Sequence, residues 1–393
     1  MHTALPPVRF TGAQILRDGA LQRRSLAIAD GRITKGPLPE VDMRGYLILP
    51  GIIDLHGDAF ERHIAPRPRA PFDIEIGLAS VDRDAAANGV TTAWMAQSWS
   101  WEGGLRGPDF AERLLAAKNA YRPRMGTDLR VQLRCETHMI DSGDRMLAAI
   151  RRFGVDYVVF NNHLDQAVEM AQTSPEEVTQ WAKREGRTME QHMALVEDLL
   201  AREKEVPRHL CRLAEAFDVL GVCYGSHDDP DGETRETYSM IGASIAEFPT
   251  SRRAAAAAKA MNDPVLLGAP NIVRGGSQSG GIRAADLVAQ NLCDVLVSDY
   301  YYPALAAAAW ILVDKGLLSL PDAWAMLSSK PAEVLRLPDR GTLDFGRRAD
   351  LVAVNEATRA IEMTIAGGVL THLSHGAAQR FARGSATLEM AAE

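Results

Sequence analysis

Through the middle of the chain, short apolar runs alternate with longer stretches of helical period, the pattern expected of βα units feeding a parallel sheet. Eight runs read as strands: Ile52–His56, Thr91–Ala96, Arg130–Cys135, Tyr157–Asn161, Val219–Tyr224, Ser244–Glu247, Val265–Leu267 and Val295–Ser298. They predict an α/β fold, a (β/α)8 TIM barrel over residues 51–340. The two ends of the chain read differently. Ser25-Leu-Ala-Ile-Ala29 is a short alternating strand, broken by Asp30-Gly31 and by the prolines at 37 and 39. Toward the other end, Gly341-Thr-Leu-Asp-Phe-Gly346, Ala349-Asp-Leu-Val-Ala-Val354 and Ile361 to Leu370 read as hairpin strands. Residues 1–50 plus 341–393 are therefore expected to form one small β-sandwich-like domain into which the barrel is inserted. Ser174 to Glu205 is polar, charged and helical, long for a plain βα connection, and reads as a lid or an oligomer contact. The segment after His375 reads as a loose tail.

Composition fits this outline. A barrel needs roughly 250 residues, so a chain of 393 residues leaves room for one satellite domain. Hydrophobic residues make up 46% and charged residues 24%, enough apolar material for a large core. The longest alanine run, Ala254 to Ala258, is too short to span a bilayer. No basic, apolar, small-residue leader opens the chain, so a cytoplasmic location is the default expectation. Cys135, Cys211, Cys223 and Cys293 are widely spaced, without a CxxC pair, and read as reduced and mostly buried. A formal charge of −8 argues against a nucleic-acid surface. An anionic substrate would have to be met by local arginines.

The chemistry lies at the ends of the predicted strands, which converge on one mouth of such a barrel. His56 and Asp58 are separated by one residue, so on a strand they point the same way. Glu136, His163, His227 and Asp299 each end or follow another apolar run. A single histidine in such a place is most often a hydrogen-bonded structural residue; six aligned donors point to a metal centre. Three imidazoles and three carboxylates suit zinc first, manganese or iron as alternatives, and are enough for two ions bridged by Glu136. His2, His209, His372 and His375 fall outside the pattern and are expected at the surface, while His138 and His192 carry no assignment.

Leu47-Pro-Gly-Ile-Ile-Asp-Leu-His56 and Gly346-Arg-Arg-Ala-Asp-Leu351 resemble the amidohydrolase superfamily. A narrower resemblance runs through most of the chain. His56-x-Asp58 with Pro66-Arg-Pro68, Gly89-Val-Thr-Thr92, Leu133-Arg-Cys-Glu136, Ser226-His-Asp-Asp229, Ile245-Ala-Glu-Phe-Pro-Thr250, Gly268-Ala-Pro-Asn-Ile-Val-Arg-Gly-Gly-Ser277 and Ser298-Asp-Tyr300 are similar to the phosphonate-metabolism hydrolases of the carbon–phosphorus lyase pathway. That family acts on α-D-ribose 1-methylphosphonate 5-triphosphate. Departures stand at Gly57, Gln278 and Gly281, where the family pattern has Thr, His and Asn, and Trp94, Trp99 and Trp101 add bulk beyond the second strand.

The resemblance implies release of diphosphate from a ribose 5-triphosphate, a small phosphorylated substrate. Asn271, Arg274, Gly275, Gly276 and Ser277 hold the ingredients of a backbone nest around phosphate. Arg67, Arg69 and Arg134 could add charge. Asp299 is the expected base, and Asp228 and Asp229 are expected to orient His227. Two alternatives remain open: a C–N hydrolase such as a cyclic amidase, deacylase or deaminase, and a non-catalytic subunit of a phosphonate-processing complex. A homo-oligomer is compatible with all three.

Overall fold

A computed structural model describes residues 4–67, 70–184, 186–277 and 281–390. His2, Arg69 and Gln278 lie outside the described residues. Eight parallel strands follow one another around a barrel in chain order: Ile52–Gly57, Val90–Trp99, Asp128–Glu136, Tyr157–Asn161, Cys223–His227, Ala246–Glu247, Val265–Gly268 and Val295–Val297. The first and last strands meet at a bridge between Gly57 and Asp299.

Alternation explains how each strand serves two layers. In Asp128–Glu136, Leu129, Val131, Leu133 and Cys135 join the large apolar core between strands and helices, while the intervening polar residues take the opposite, inward face. Inside the barrel, Ile53, Leu55, Trp94, Tyr157, Val159, Leu266, Val295 and Val297 form a packed plug, joined by Ala332 of the helix Ser329–Val334 and by Leu335, which caps its C-terminus. Trp94 and Trp99 lie within the second strand and are fully buried. They support the barrel instead of adding bulk beyond it.

Three of the sequence expectations need correction. The run Val219–Tyr224 is divided: Val219 and Leu220 end the helix Val206–Leu220, Gly221 caps it in the left-handed conformation (φ 68°), and the strand begins at Cys223. Gly341–Gly346 forms turns and no strand. The segment after His375 begins a helix, His375–Met390, whose Ala377 is buried in the small domain and whose Phe381 meets Phe10 at 6.1 Å.

Both chain ends build a separate pair of sheets. One has four strands, in the order Arg32–Thr34, Leu26–Ala29, Val8–Thr11, Glu40–Asp42. The other has six: Val369–Leu373, Ile361–Ala366, Leu351–Asn355, Tyr46–Pro50, Gln14–Arg17 and Ala20–Arg23. Phe10, Ile15, Ile28, Ile48, Met363 and Ile365 belong to their shared core.

Between the fourth and fifth barrel strands the chain inserts three helices, Leu164–Thr173, Pro175–Arg184 and Met189–Leu200. Thr188 and Gln191 form a capping box that starts the last of them. They carry their own small core around Trp101, Leu164, Ala167 and Val196. His192 is buried there against Trp101 and Trp181, at ring distances of 5.3 and 5.0 Å. His209 is also buried, against the surface expectation, whereas His375 is exposed. All four cysteines are free; Cys135 and Cys293 are buried and Cys211 is exposed. No described helix is long and apolar enough to cross a membrane.

Candidate metal centre and active-site cavity

A cavity of about 460 Å³ opens at the mouth of the barrel. His56, Asp58, His163, His227, Asp228 and Asp299 line it from strands one, four, five and eight, and Asn271, Arg274, Gly276 and Ser277 line it from the connection after strand seven. Backbone pairing across the barrel seam sets the first and last strands in register. The Asp299 amide donates to the His56 carbonyl (3.0 Å), and the Asp58 amide donates to the Asp299 carbonyl (2.7 Å).

Beneath the cavity lies a carboxylate that the strand-end reading passed over. Glu247, fully buried, accepts at Oε2 from His56 Nδ1 (2.9 Å) and His227 Nδ1 (3.0 Å), and at Oε1 from Gln132 Nε2 (2.6 Å) and Tyr157 Oη (2.5 Å). The two imidazoles stack with centroids 5.1 Å apart. His56, His227 and Glu247 offer donor atoms within 4.8 Å of one another. Burial alone would raise the Glu247 carboxyl, but the two histidines hold it well below the usual carboxylate range. Burial opposes charge on both rings; facing Glu247 makes His56 more basic than usual, while His227 stays less basic. With Nδ1–H given to Glu247, each neutral ring keeps its lone pair on Nε2, the arrangement by which a carboxylate aims histidines at a metal. The signal for Glu247 was present in the sequence, since it ends the sixth predicted strand as the other candidates end theirs.

Glu136 belongs to a second group. Its Oε1 is 2.6 Å from His163 Nδ1 and accepts from Asn161 Nδ2 (2.8 Å), and Trp101 Nε1 reaches Oε2 at 3.2 Å. Glu102, nearly inaccessible, stands 3.7 Å from the same His163 nitrogen. The polar donors thus fall into two clusters, His56–His227–Glu247 and Glu136–His163, both buried or nearly so. Buried imidazoles and carboxylates of this mixed N/O kind fit a borderline divalent cation such as zinc, manganese or iron.

Asp299 adopts a left-handed backbone (φ 56°), and burial, opposed by His56 and reinforced by Asp58, pushes its carboxyl up to about 6. Asp228 Oδ2 is 3.5 Å from His227 Nε2. Asp229 does not orient His227: its buried carboxylate accepts from Ser226 Oγ (2.6 Å) and pairs with Arg235 (3.2 Å), because the left-handed turn at Asp228 (φ 60°) sends the two neighbours apart. Arg67 is exposed and lines no part of the cavity.

The expected phosphate nest is also revised. Ala269–Arg274 is a short helix, and the amides of Gly275 and Gly276 turn back to the carbonyls of Ile272 (3.2 Å) and Asn271 (2.9 Å) to cap it. Asn271 closes the connection, donating to the Ile282 carbonyl (3.0 Å) and accepting from the Ala284 amide (2.9 Å). Among the nest residues, the guanidinium of Arg274, beside Tyr300 Oη (3.3 Å), and Ser277 remain as the polar side chains facing the cavity.

No protein-family model matches the chain. It is 30% identical to α-D-ribose 1-methylphosphonate 5-triphosphate diphosphatase of Escherichia coli K12 over 358 residues, which covers 86% of this chain and 93% of that protein. Among solved structures it resembles the β-aspartyl dipeptidase of Fervidobacterium islandicum AW-1, at a TM-score of 0.64 and 14% identity, covering 94% of this chain and 97% of that one. The N-acetylglucosamine-6-phosphate deacetylase of Pasteurella multocida gives a TM-score of 0.63 at 11% identity, covering 93% and 100%. At such identities these two likenesses speak for the fold and for nothing finer.

Proposed function

Because the chain belongs to the family of α-D-ribose 1-methylphosphonate 5-triphosphate diphosphatases, we propose that it hydrolyses a phosphoanhydride of a ribose 5-triphosphate in phosphonate metabolism, releasing diphosphate. The observation that carries the reading is that Arg274 and Ser277 open onto the same cavity as His56, Asp58, His227 and Asp299. A cation and a hydroxyl placed there serve a phosphorylated substrate.

His56, Asp58, His163, His227 and Asp299 would hold a divalent metal, zinc before manganese or iron, with Glu136 and Glu247 behind the histidines. When bound, it supplies Lewis-acid polarisation of the phosphoryl group and acidifies the attacking water. The two donor clusters favour two ions. In the reaction an oxygen–phosphorus bond forms from water, the phosphorus–bridging oxygen bond breaks, and the electron pair leaves with diphosphate. Asp299 takes the water's proton on its carboxylate. Arg274 holds a phosphate that does not react.

Phosphorus NMR of the metal-loaded protein with a panel of ribose triphosphates tests this directly: diphosphate is the expected product. Its absence, together with an amine or carboxylate released from an amide panel, would replace this reading by C–N hydrolysis. Elemental analysis is expected to find more than one metal equivalent per chain. A single equivalent unaffected by Glu136→Gln would remove Glu136 from the centre.

A further inference from the structure

We infer that Arg134 forms an inner anion subsite at the floor of the cavity, taking an oxygen of the phosphoryl group under attack while Arg274 meets the diphosphate outside it. Only the identity of the anion rests on the diphosphatase reading.

Arg134 lies on the third barrel strand between Leu133 and Cys135, both packed in the outer core, so strand alternation turns it inward with Gln132 and Glu136. It lines the cavity and is 9% exposed. Its Nη2 is 3.0 Å from His227 Nε2, its buried Nε has no hydrogen-bond partner, and no carboxylate among the described residues forms an ion pair with it. The other deeply buried arginines are paired. Arg235 reaches Asp229 at 3.2 Å and Asp263 at 3.5 Å; Arg340 reaches Asp128 at 2.8 Å and Asp339 at 2.9 Å.

A guanidinium cannot shed its charge to escape burial. Leaving one buried without an anion is strongly destabilising. Without metal, His227 Nε2 supplies only a neutral acceptor, and a bound metal would take that lone pair and leave the guanidinium without it. Arg134 lines the same cavity as His56, His227 and Asp299, so it stands among the groups that would surround the reacting centre. The missing partner is therefore one that enters through the cavity, and the planar fork of donors suits a phosphoryl oxygen. Arg274 is exposed at the rim and Arg134 is buried at the floor, so two cations at two depths match an anion that extends along the cavity.

The test uses the full-length, metal-loaded protein, with inorganic phosphate as the probe in titration calorimetry, and Arg134→Met and Arg134→Lys as variants. Arg134→Met is expected to bind phosphate at least ~10-fold more weakly, with Arg134→Lys in between. Metal content should be retained, and Tm of the metal-loaded protein should stay level or rise, because an unpaired buried charge has been removed. Turnover lost in Arg134→Ala should be partly restored by added guanidinium. Unchanged phosphate affinity with metal retained would overturn the subsite, as would a lowered Tm with metal lost in both variants, which would make Arg134 a structural support of His227. If the wild type binds phosphate in an Arg134-dependent way but releases no diphosphate from any triphosphate, the subsite stands and the diphosphatase reading falls. If diphosphate is released and neither variant differs from wild type, the reading stands and the subsite falls.

Discussion

Asp299 owes its position to a backbone conformation that few side chains accept (φ 56°), and asparagine accepts it at least as readily as aspartate. Asp299→Asn should therefore keep the fold while removing the base, lowering kcat by roughly 10²-fold or more with metal content verified. Near-normal kcat would leave Asp299 a backbone role only. Without metal the carboxyl sits at about 6, so in the proposed mechanism kcat/KM should rise with pH along a limb that lies no higher than that value and then level off. A neighbouring cation favours the ionised form and would move this limb to lower pH. For folding, the folded state holds the proton more tightly than the unfolded chain, whose ordinary value is 3.8. The part of the metal-free protein's stability that comes from Asp299 is thus lost as pH rises from about 4 through about 6. Metal-free Asp299→Asn should gain stability over wild type at pH 8 and show no gain at pH 3, as denaturant melts at the two pH values would reveal. Gly57 is constrained differently. A Cβ there would lie 2.8 Å from Ser298 Oγ and 2.9 Å from Asp54 Oδ2, which are themselves hydrogen-bonded at 2.6 Å. That pair fills the space a threonine would need, and Gly57→Ala should cost about 1–3 kcal/mol in urea unfolding. Unchanged stability would mean that the seam yields.

Elements were legible where period and punctuation agreed. The alternation in Asp128–Glu136 both predicts the strand and turns Gln132, Arg134 and Glu136 inward. It failed where one apolar run served two elements: Val219-Leu220 and Cys223-Tyr224 differ only in lying on either side of Gly221, and the backbone of that residue, not its neighbours' hydrophobicity, ends the helix. Of the three inserted helices, Pro175–Arg184 and Met189–Leu200 fall in the stretch Ser174 to Glu205 that reads as helical and Leu164–Thr173 precedes it, while their anchor could not be seen. Glu102 accepts from Trp181 Nε1 at 2.8 Å and from Arg106 at 3.1 Å, joining the loop after strand two to the insertion. Burial would raise its carboxyl, yet Arg106 and His163 hold it below the usual range. Glu102→Gln should speed amide hydrogen exchange across residues 164–200 by ~10-fold or more while the barrel strands keep their protection. Equal exchange in both proteins would show that the Trp101–Trp181–His192 packing holds the insertion unaided.

At the scale of the whole molecule, the two chain ends close over each other. Phe10 near the start is fully buried and meets the half-buried Phe381 near the end, and Glu362 accepts from both Tyr46 Oη (2.7 Å) and the Ala377 amide (3.1 Å). Removing residues 375–393 should cost at least about 2 kcal/mol, the scale of exposing one buried aromatic side chain, and lower Tm with the barrel's activity kept. An unchanged Tm would restore the reading of this segment as a loose tail. The barrel, the satellite sheets and the convergence of His56, Asp58, His227 and Asp299 were legible in the order of residues, because they follow from strand period and from the rule that parallel strands in a barrel end at one mouth. Tertiary structure alone decided which carboxylate serves which histidine. Glu247 and Glu136 end strands in the same way, but only the closed barrel brings Glu247 under His56 and His227 and sets Glu136 beside His163. It decided too that Asp229 belongs to Arg235, that the glycine amides are spent on a helix cap, and that Arg134 is buried without an anion. Each of these depends on the direction of a side chain or an N–H across the fold, which local period does not encode.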